Sequence, residues 1–357
     1  MPLTDLRTLG RSGLPVSPLA LGTMTFGAPR WGSADAASEA VFDAYVGAGG
    51  NFVDTADVYA GGRSEELLGG YVAARGLRDR LVIATKCGFN GSPAGAPRSP
   101  LAGGAGRKNV RRALEGSLRR LGTDYVDLYW LHAWDGVTPA EEVLQTMGAL
   151  VAAGLVRYYG LSNVPAWWAT KLAVLAAAHG VPGPVALQLE YSLASRAVER
   201  EHVPAAIDLG VAVVPWSPLA GGFLAGKYAR PAAGSAAKAE GEGRLAGANP
   251  FGDTKFTDAN WRVLDALRGV AADAGRTPAE VALAWTLARP AVVAPILGAR
   301  TPEQLAANLG ALAVTLTPAQ QAALDAASAP EPVYPYPIFD GAVRRGIFGG
   351  ADVRGWK

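Results

Sequence analysis

Asn51-Phe52-Val53-Asp54-Thr55-Ala56-Asp57-Val58-Tyr59, followed by Ala60-Gly61-Gly62-Arg63-Ser64-Glu65, reads as a short apolar strand, a turn and the start of a helix. The strand ends in a carboxylate. An Asp at the end of a buried strand is costly unless a cation or hydrogen-bond donors meet it. Tyr59 follows in the turn. A phenol has an ordinary pKa of about 10, too high for easy proton donation near neutrality unless a nearby cation lowers it. The pattern therefore calls for a cation supplied from elsewhere in the chain.

The same strand–helix unit recurs outward in both directions. Gly-rich extended pieces at 7–18 predict a β-hairpin. Apolar strands are predicted at 19–23, 52–53, 81–86, 125–132, 156–160, 185–189, 211–215 and 292–297. Helical patterns are predicted at 34–48, from 64, and at 108–121, 139–152, 165–178, 199–209, 257–274, 278–288 and 302–312. Alternation of this kind means parallel strands with right-handed crossovers. Eight units predict an α/β fold, a closed (β/α)8 TIM barrel, spanning 1–357 as one domain. An open dinucleotide-binding sheet would place Gly-x-Gly-x-x-Gly after the first strand, and Leu21-Gly22-Thr23-Met24-Thr25-Phe26-Gly27 fails that pattern. Residues 229–253, rich in Gly, Ala and Pro, are expected to form a flexible insertion, and 330–357 a C-terminal tail strapped over the barrel.

Composition narrows the classes further. Half of the 357 residues are apolar, enough for a large core, and the net charge is +2 with no Lys/Arg block. Nucleic acid and anionic membrane are poor partners for such a chain. A single cysteine, Cys87, excludes a disulfide within the chain and speaks against a cysteine metal site. With no signal pattern and no apolar run of about 18 residues, a cytoplasmic protein is expected. No heptad pattern fixes the oligomeric state.

In such a barrel the chemistry sits at the C-terminal ends of the strands. Asp54, Lys86 and His132 end neighbouring strands, and Tyr59 lies on the same side. Lys86 is then the missing cation: Asp54 keeps it charged, it makes Tyr59 a better acid, and His132 orients a carbonyl oxygen. These groups deliver a proton but no hydride, which implies a nicotinamide cofactor.

At this point the chain resembles the aldo-keto reductases, in the branch that includes potassium-channel β subunits and bacterial oxidoreductases. The resemblance runs from about Leu9 to Leu312 and rests on seven ordered motifs. These are Leu21-Gly22-Thr23-Met24, 52–59, Ala84-Thr85-Lys86, 127–132, Gly160-Leu161-Ser162-Asn163, Ser217-Pro218-Leu219-Ala220-Gly221-Gly222 and Gly298-Ala299-Arg300-Thr301-Pro302-Glu303-Gln304. It implies a catalytic tetrad of Asp54, Tyr59, Lys86 and His132. It further implies an NADPH site: Ser162, Asn163 and Gln188 on the nicotinamide carboxamide, and Trp216 stacked on its ring. Amides around Ser217, Pro218, Leu219 and Gly221, with Lys227, would hold the pyrophosphate. Arg300, Gln304 and Asn308 would meet the adenosine end, with Gly22, Thr23, Met24 and Gly298 completing the cleft. Arg300 suits a 2′-phosphate because a guanidinium forks onto phosphate oxygens. The expected substrate is a small carbonyl or alcohol, held by Phe26, Trp31, Tyr59, Phe89, His132, Trp134 and Trp216.

Two other functions compete. A sensing module would hold the nucleotide with little turnover, and a barrel hydrolase or isomerase would use Asp54 and His132 without it. The plainer expectations are these. Gly221 to Lys227 matches Gly-x-x-x-x-Gly-Lys, but Tyr228 follows where a P-loop needs Ser or Thr. Cys87 is a small buried hydrophobe. Arg111, Arg112, Arg119 and Arg120 lie on a solvated helix face, and His179 and His202 at the surface.

Overall fold

The computed structural model describes residues 1–28, 32–92, 95–230, 245, 254–339 and 341–353. The chain opens with an antiparallel hairpin, β1 (Arg7–Thr8) and β2 (Pro15–Val16). The wall of the barrel begins at β3 (Ala20–Gly22), followed by α1 (Asp35–Gly47), β4 (Phe52–Asp54) and α2 (Arg63–Arg75). Next come β5 (Val82–Cys87), α3 (Arg107–Leu121), β6 (Val126–Leu131), α4 (Ala140–Ala152), β7 (Val156–Ser162) and α5 (Ala166–His179). The wall ends with β8 (Ala186–Glu190), α6 (His202–Leu209) and β9 (Ala212–Trp216). Two helices, α7 (Asp258–Asp273) and α8 (Pro278–Leu287), then precede β10 (Ile296–Leu297).

All eight wall strands are parallel, in the order β10-β3-β4-β5-β6-β7-β8-β9. The Val213 amide donates to Ala291 O at 2.8 Å and the Val293 amide to Val213 O at 3.0 Å, so the segment entering β10 brings the two edges together. The expected barrel is present. Its last strand, β10, has two helices ahead of it, where the simple alternation has one.

Strand periodicity decides which side chains point into the barrel. Phe52, Val82, Ala84, Leu128, Trp130, Ala186, Ala212 and Val214 form the inner core. The intervening residues, Val53, Ile83, Cys87, Tyr129, Leu161 and Val213, pack outward under the helices. Cys87 is fully buried there, as expected of a small hydrophobe. Trp130 needs its neighbour to be glycine: opposite it in register lies Gly160, where a Cβ would come within 2.3 Å of the indole. Leu9, Leu14 and Val16 of the hairpin join the inner core and close its lower end. Gly10 turns there with φ +62, and a Cβ would meet Val185 O at 2.5 Å.

Beyond β10 come α9 (Pro302–Leu309), α10 (Pro318–Ala327) and the short α11 (Gly341–Ile347). Thr277 and Thr317 form capping boxes with Glu280 and Gln320, each with Pro at the first helical position. The α10 helix packs on α7 and buries Leu324. Its Asp325 accepts from Trp285 Nε1 at 2.8 Å and from Arg289.

Residues 231–244 and 246–253, most of the expected insertion, lie outside the described residues, as does Trp31. Among the described residues the tail does not strap over the barrel: residues 331–334, 337–339 and 341–353 are exposed, and the Arg200 guanidinium donates to Glu331 O at its start. Pro332, Pro335 and Pro337 lack the N–H groups that would bind such a strap.

Candidate active site

Continuing the inward-facing register by one step past the inner core gives the top layer of the barrel. Above Phe52 stands Asp54, above Ala84 Lys86, above Trp130 His132, above Gly160 Ser162, above Ala186 Gln188 and above Val214 Trp216. Alternation alone thus brings six of the anticipated residues to one mouth.

Lys86 and Asp54 are both fully or almost fully buried and form an ion pair, Nζ to Oδ1. Lys86 Nζ also donates to Thr55 O at 2.7 Å and to the Tyr59 hydroxyl at 3.2 Å. The second Asp54 oxygen accepts from Gln188 Nε2 at 2.9 Å. Burial alone would push the Lys86 ammonium down, but Asp54 and Tyr59 beside it outweigh this and hold its pKa above the ordinary value. Burial raises the Asp54 carboxyl, partly offset by Lys86, Gln188 and Trp130. Each Asp54 oxygen thus already accepts from a buried donor, which ties the carboxylate into the wall of the barrel.

The His132 ring lies between two aromatic edges: Tyr59 at 5.9 Å and Phe89 at 4.6 Å between centroids. Its Nδ1 is buried without a hydrogen-bond partner among the described residues. Burial, with the Lys86 ammonium nearby, lowers its pKa well below 6.5, so the ring is neutral at pH 7. Neighbouring strand ends are laced together by Asn163, whose Nδ2 donates to His132 O and Ser162 Oγ at 2.9 Å. Trp216 Nε1 donates to Asn163 Oδ1 at 3.1 Å. Asn163 (φ 51) and Ser217 (φ 50) are both left-handed, turning the chain sharply off β7 and β9.

The loop after β9 carries further left-handed residues at Ala220, Gly221, Gly222 and Gly226. Successive amides in such runs can form an anion-binding concavity; here those of Ala220, Gly222, Leu224 and Gly226 donate to the Ser217, Leu219 and Phe223 carbonyls within the loop, which leaves the other amides of the run for an anion. Lys227 sits beside Gly222. Partial burial and the facing Arg300 both lower its pKa. Neither Lys227 nor Arg300 has an acidic partner among the described residues, so two cations converge where an anion would satisfy both. The Arg300 amide donates to Gln304 Oε1 at 3.0 Å, just ahead of the α9 N-terminus. Asn308 is buried on α9, and Gly298 is open to solvent. Gly22 is packed against Ile296, Thr23 is buried against Ser64, and Met24 and Pro218 flank the cleft half-buried and buried. This donor set fits a nucleotide bearing phosphates.

Phe89 is exposed and stands edge-on to the His132 ring, and Trp134 is half-buried. Phe26, also anticipated at the pocket, is fully buried against Tyr71 at 6.2 Å. Trp167, unanticipated as a pocket residue, is 60 % exposed and stands edge-on to Trp134 at 5.8 Å. Its place two residues after Pro165, at the top of α5, was the available signal. Arg120 does not lie free on a solvated face, since it pairs with the buried Glu65. His202 is half-buried, with Nε2 at 2.8 Å from Val164 O.

The aldo/keto reductase family profile matches residues 18–329. The norsolorinic acid reductase of Emericella nidulans is 38% identical over 314 residues, covering 86% of this chain and 76% of that protein. The aryl-alcohol dehydrogenase [NADP(+)] of Phanerodontia chrysosporium is 35% identical over 345 residues, 92% of this chain and 86% of that one. A probable voltage-gated potassium channel subunit beta of Oryza sativa subsp. japonica is 35% identical over 318 residues, 87% and 93% of the two chains. With the profile spanning most of its length and its polar groups converging at the barrel mouth, the chain belongs to the aldo/keto reductase family and is an oxidoreductase.

Proposed function

We propose that this protein is an NADP(H)-dependent carbonyl reductase, or the reverse alcohol dehydrogenase, with Tyr59 as the proton donor. The observation that carries this is the Lys86 ammonium, buried and held by Asp54 and Thr55 O, with its remaining reach spent on the Tyr59 hydroxyl at 3.2 Å. When Tyr59 gives its proton to a carbonyl oxygen, the negative charge left on the phenolate falls on that ammonium. Neutral His132 keeps one ring N–H, which can donate to the same carbonyl oxygen and fix its direction. The bound nicotinamide supplies the hydride that no side chain can.

Ser162, Asn163 and Gln188 are the groups that would hold the carboxamide, and Trp216 the ring. The left-handed loop from Ser217 to Gly226 would take the pyrophosphate. Lys227 and Arg300 have no acidic partner among the described residues; Lys227 suits the pyrophosphate and Arg300 a further phosphate, and therefore NADPH over NADH. Phe89, Trp134 and Trp167 offer aromatic walls suited to an aryl aldehyde or ketone. Relatives named as aryl-alcohol dehydrogenase and norsolorinic acid reductase fit that substrate class.

The test is a fluorescence titration with NADPH and NADH, followed by turnover on a panel of aryl aldehydes. Tight NADPH binding with turnover supports the proposal. Tight binding without turnover on any carbonyl favours the sensing module, and no binding of either nucleotide refutes both.

A further inference from the structure

Behind the barrel wall lies a second charged cluster that the carbonyl chemistry does not use. Lys86 points inward, so its neighbour Thr85 points outward, where its hydroxyl donates to Glu65 Oε1 at 2.5 Å. The other Glu65 oxygen takes Arg120 Nε at 2.7 Å, and Glu65 itself is fully buried. The Arg120 stem runs against Gly62, where a Cβ would lie 2.8 Å from Arg120 Cδ and where φ is +98. At the other end of the same segment the Asp57 amide donates to Lys86 O at 3.1 Å. Asp57 Oδ1 is buried with no hydrogen-bond partner among the described residues.

Tyr59 sits between these two fastenings. The arch that carries it passes through three left-handed residues, Ala60, Gly61 and Gly62. A non-glycine residue in that region costs backbone energy and persists only when its surroundings hold it there. What holds it is the Asp57–Lys86 contact on one side and Arg120 with Glu65 on the other.

We propose that Asp57, Glu65 and Arg120 are positioning residues for Tyr59, and that a proton on Asp57 tightens the arch while its loss beside Glu65 loosens it. The proposal rests on the reading that Tyr59 is the proton donor. Asp57 faces Glu65 of α2, Arg112 and Arg120 of α3, Cys87 of β5 and Tyr129 of β6. Burial, then Glu65, push its carboxyl up to about 7 against the pull of the two arginines. The ionised form carries an unpaired buried oxygen next to another carboxylate. The protonated form gains a donor and sheds the repulsion.

The test is the pH dependence of kcat for aldehyde reduction at saturating NADPH, in the parent chain, Asp57→Asn, Arg120→Lys and Arg120→Met. Asn mimics the protonated carboxyl in shape and charge. The parent rate is expected to fall by about tenfold from pH 6 to pH 8.5, the cost of a slight misplacement of the donor, with its midpoint near 7. Asp57→Asn should hold the low-pH rate across the range, with unchanged NADPH affinity. Arg120→Lys should keep the parent profile, and Arg120→Met, which removes a cation favouring the ionised form, should move the midpoint upward. A midpoint unmoved in Asp57→Asn overturns the proposal, even if Arg120→Met fails to fold. Failure of the donor reading shows differently, as full turnover in Tyr59→Phe, whereas failure of the clamp alone leaves Tyr59→Phe inactive and the parent limb intact in Asp57→Asn.

Discussion

Lys86→Met separates what the buried ion pair does for stability from what it does for chemistry. Methionine keeps the stem and removes the ammonium. Lys86 is fully buried and the Asp54 side chain is 3 % exposed, so solvent cannot replace the lost partner. Asp54 is left with Gln188 Nε2 on one oxygen and nothing in place of Nζ on the other. Removing one member of a buried pair costs about 3–5 kcal/mol. For a chain of this length, with each kcal/mol worth about 2 °C, that is a fall in Tm of about 6–10 °C. The loss should shrink on acidification, because the stranded carboxyl, already raised by burial, binds a proton more tightly folded than unfolded. In Lys86→Met/Asp54→Asn no charge is stranded, so the double variant should recover about half the loss. The assay is urea and thermal denaturation by circular dichroism without nucleotide. If the two single losses simply add in the double variant, to within about 0.5 kcal/mol, the two side chains are not coupled and the account of the pair is wrong.

Other consequences are open to measurement. Arg300→Ala should weaken NADPH by about 10- to 100-fold, the worth of a charge-assisted hydrogen bond, and leave NADH nearly unchanged in the same titration, whereas Lys227→Ala should weaken both nucleotides, which share the pyrophosphate. Asp135 accepts from the amides of Ala105, Val137 and Thr138 and from the Thr138 hydroxyl, tying together the loops after β5 and β6. Burial works against its ionisation, but these donors outweigh it and hold the carboxyl at about 2. Asp135→Ala should therefore raise the aldehyde KM several-fold more than it lowers kcat, about 3- to 10-fold if loop order is what is lost. His132 remains neutral in the folded chain well below 6.5, while the unfolded chain takes up a proton there. Stability should fall as pH drops below 6.5, and that slope should be absent from His132→Gln when the two are compared by urea denaturation.

The barrel was legible because its signal is local and repeated. Each strand is a short apolar run whose period of two already separates Lys86 from Thr85 and Asp54 from Val53. The convergence of Asp54, Lys86 and His132 followed from the strand ends, and the register, Asp54 beside Ala84 and Lys86 beside Trp130, matches that order. Helix α10 escaped the periodicity, since its pattern is mostly alanine and glutamine. Yet Thr317-Pro318-Ala319-Gln320 repeats the capping pattern that opens α8. Arg120 was misjudged for a different reason. It borders the buried stripe of α3, its long stem reaches past that border, and its partner Glu65 lies 55 residues away. No helical pattern carries that information. Phe26 and Trp167 show the same limit in loops and helix ends: the sequence places both near strand ends, but only packing decides that the first turns into the core and the second toward the mouth.

The most direct test of the proposed chemistry compares the parent chain with Tyr59→Phe. NADPH affinity is measured by fluorescence and aryl-aldehyde reduction by the loss of NADPH absorbance. Phenylalanine keeps the ring against His132 and removes only the hydroxyl that Lys86 meets. The account predicts unchanged NADPH affinity and a rate lower by at least about 100-fold, the usual worth of a positioned general acid. Turnover at the parent rate would contradict it.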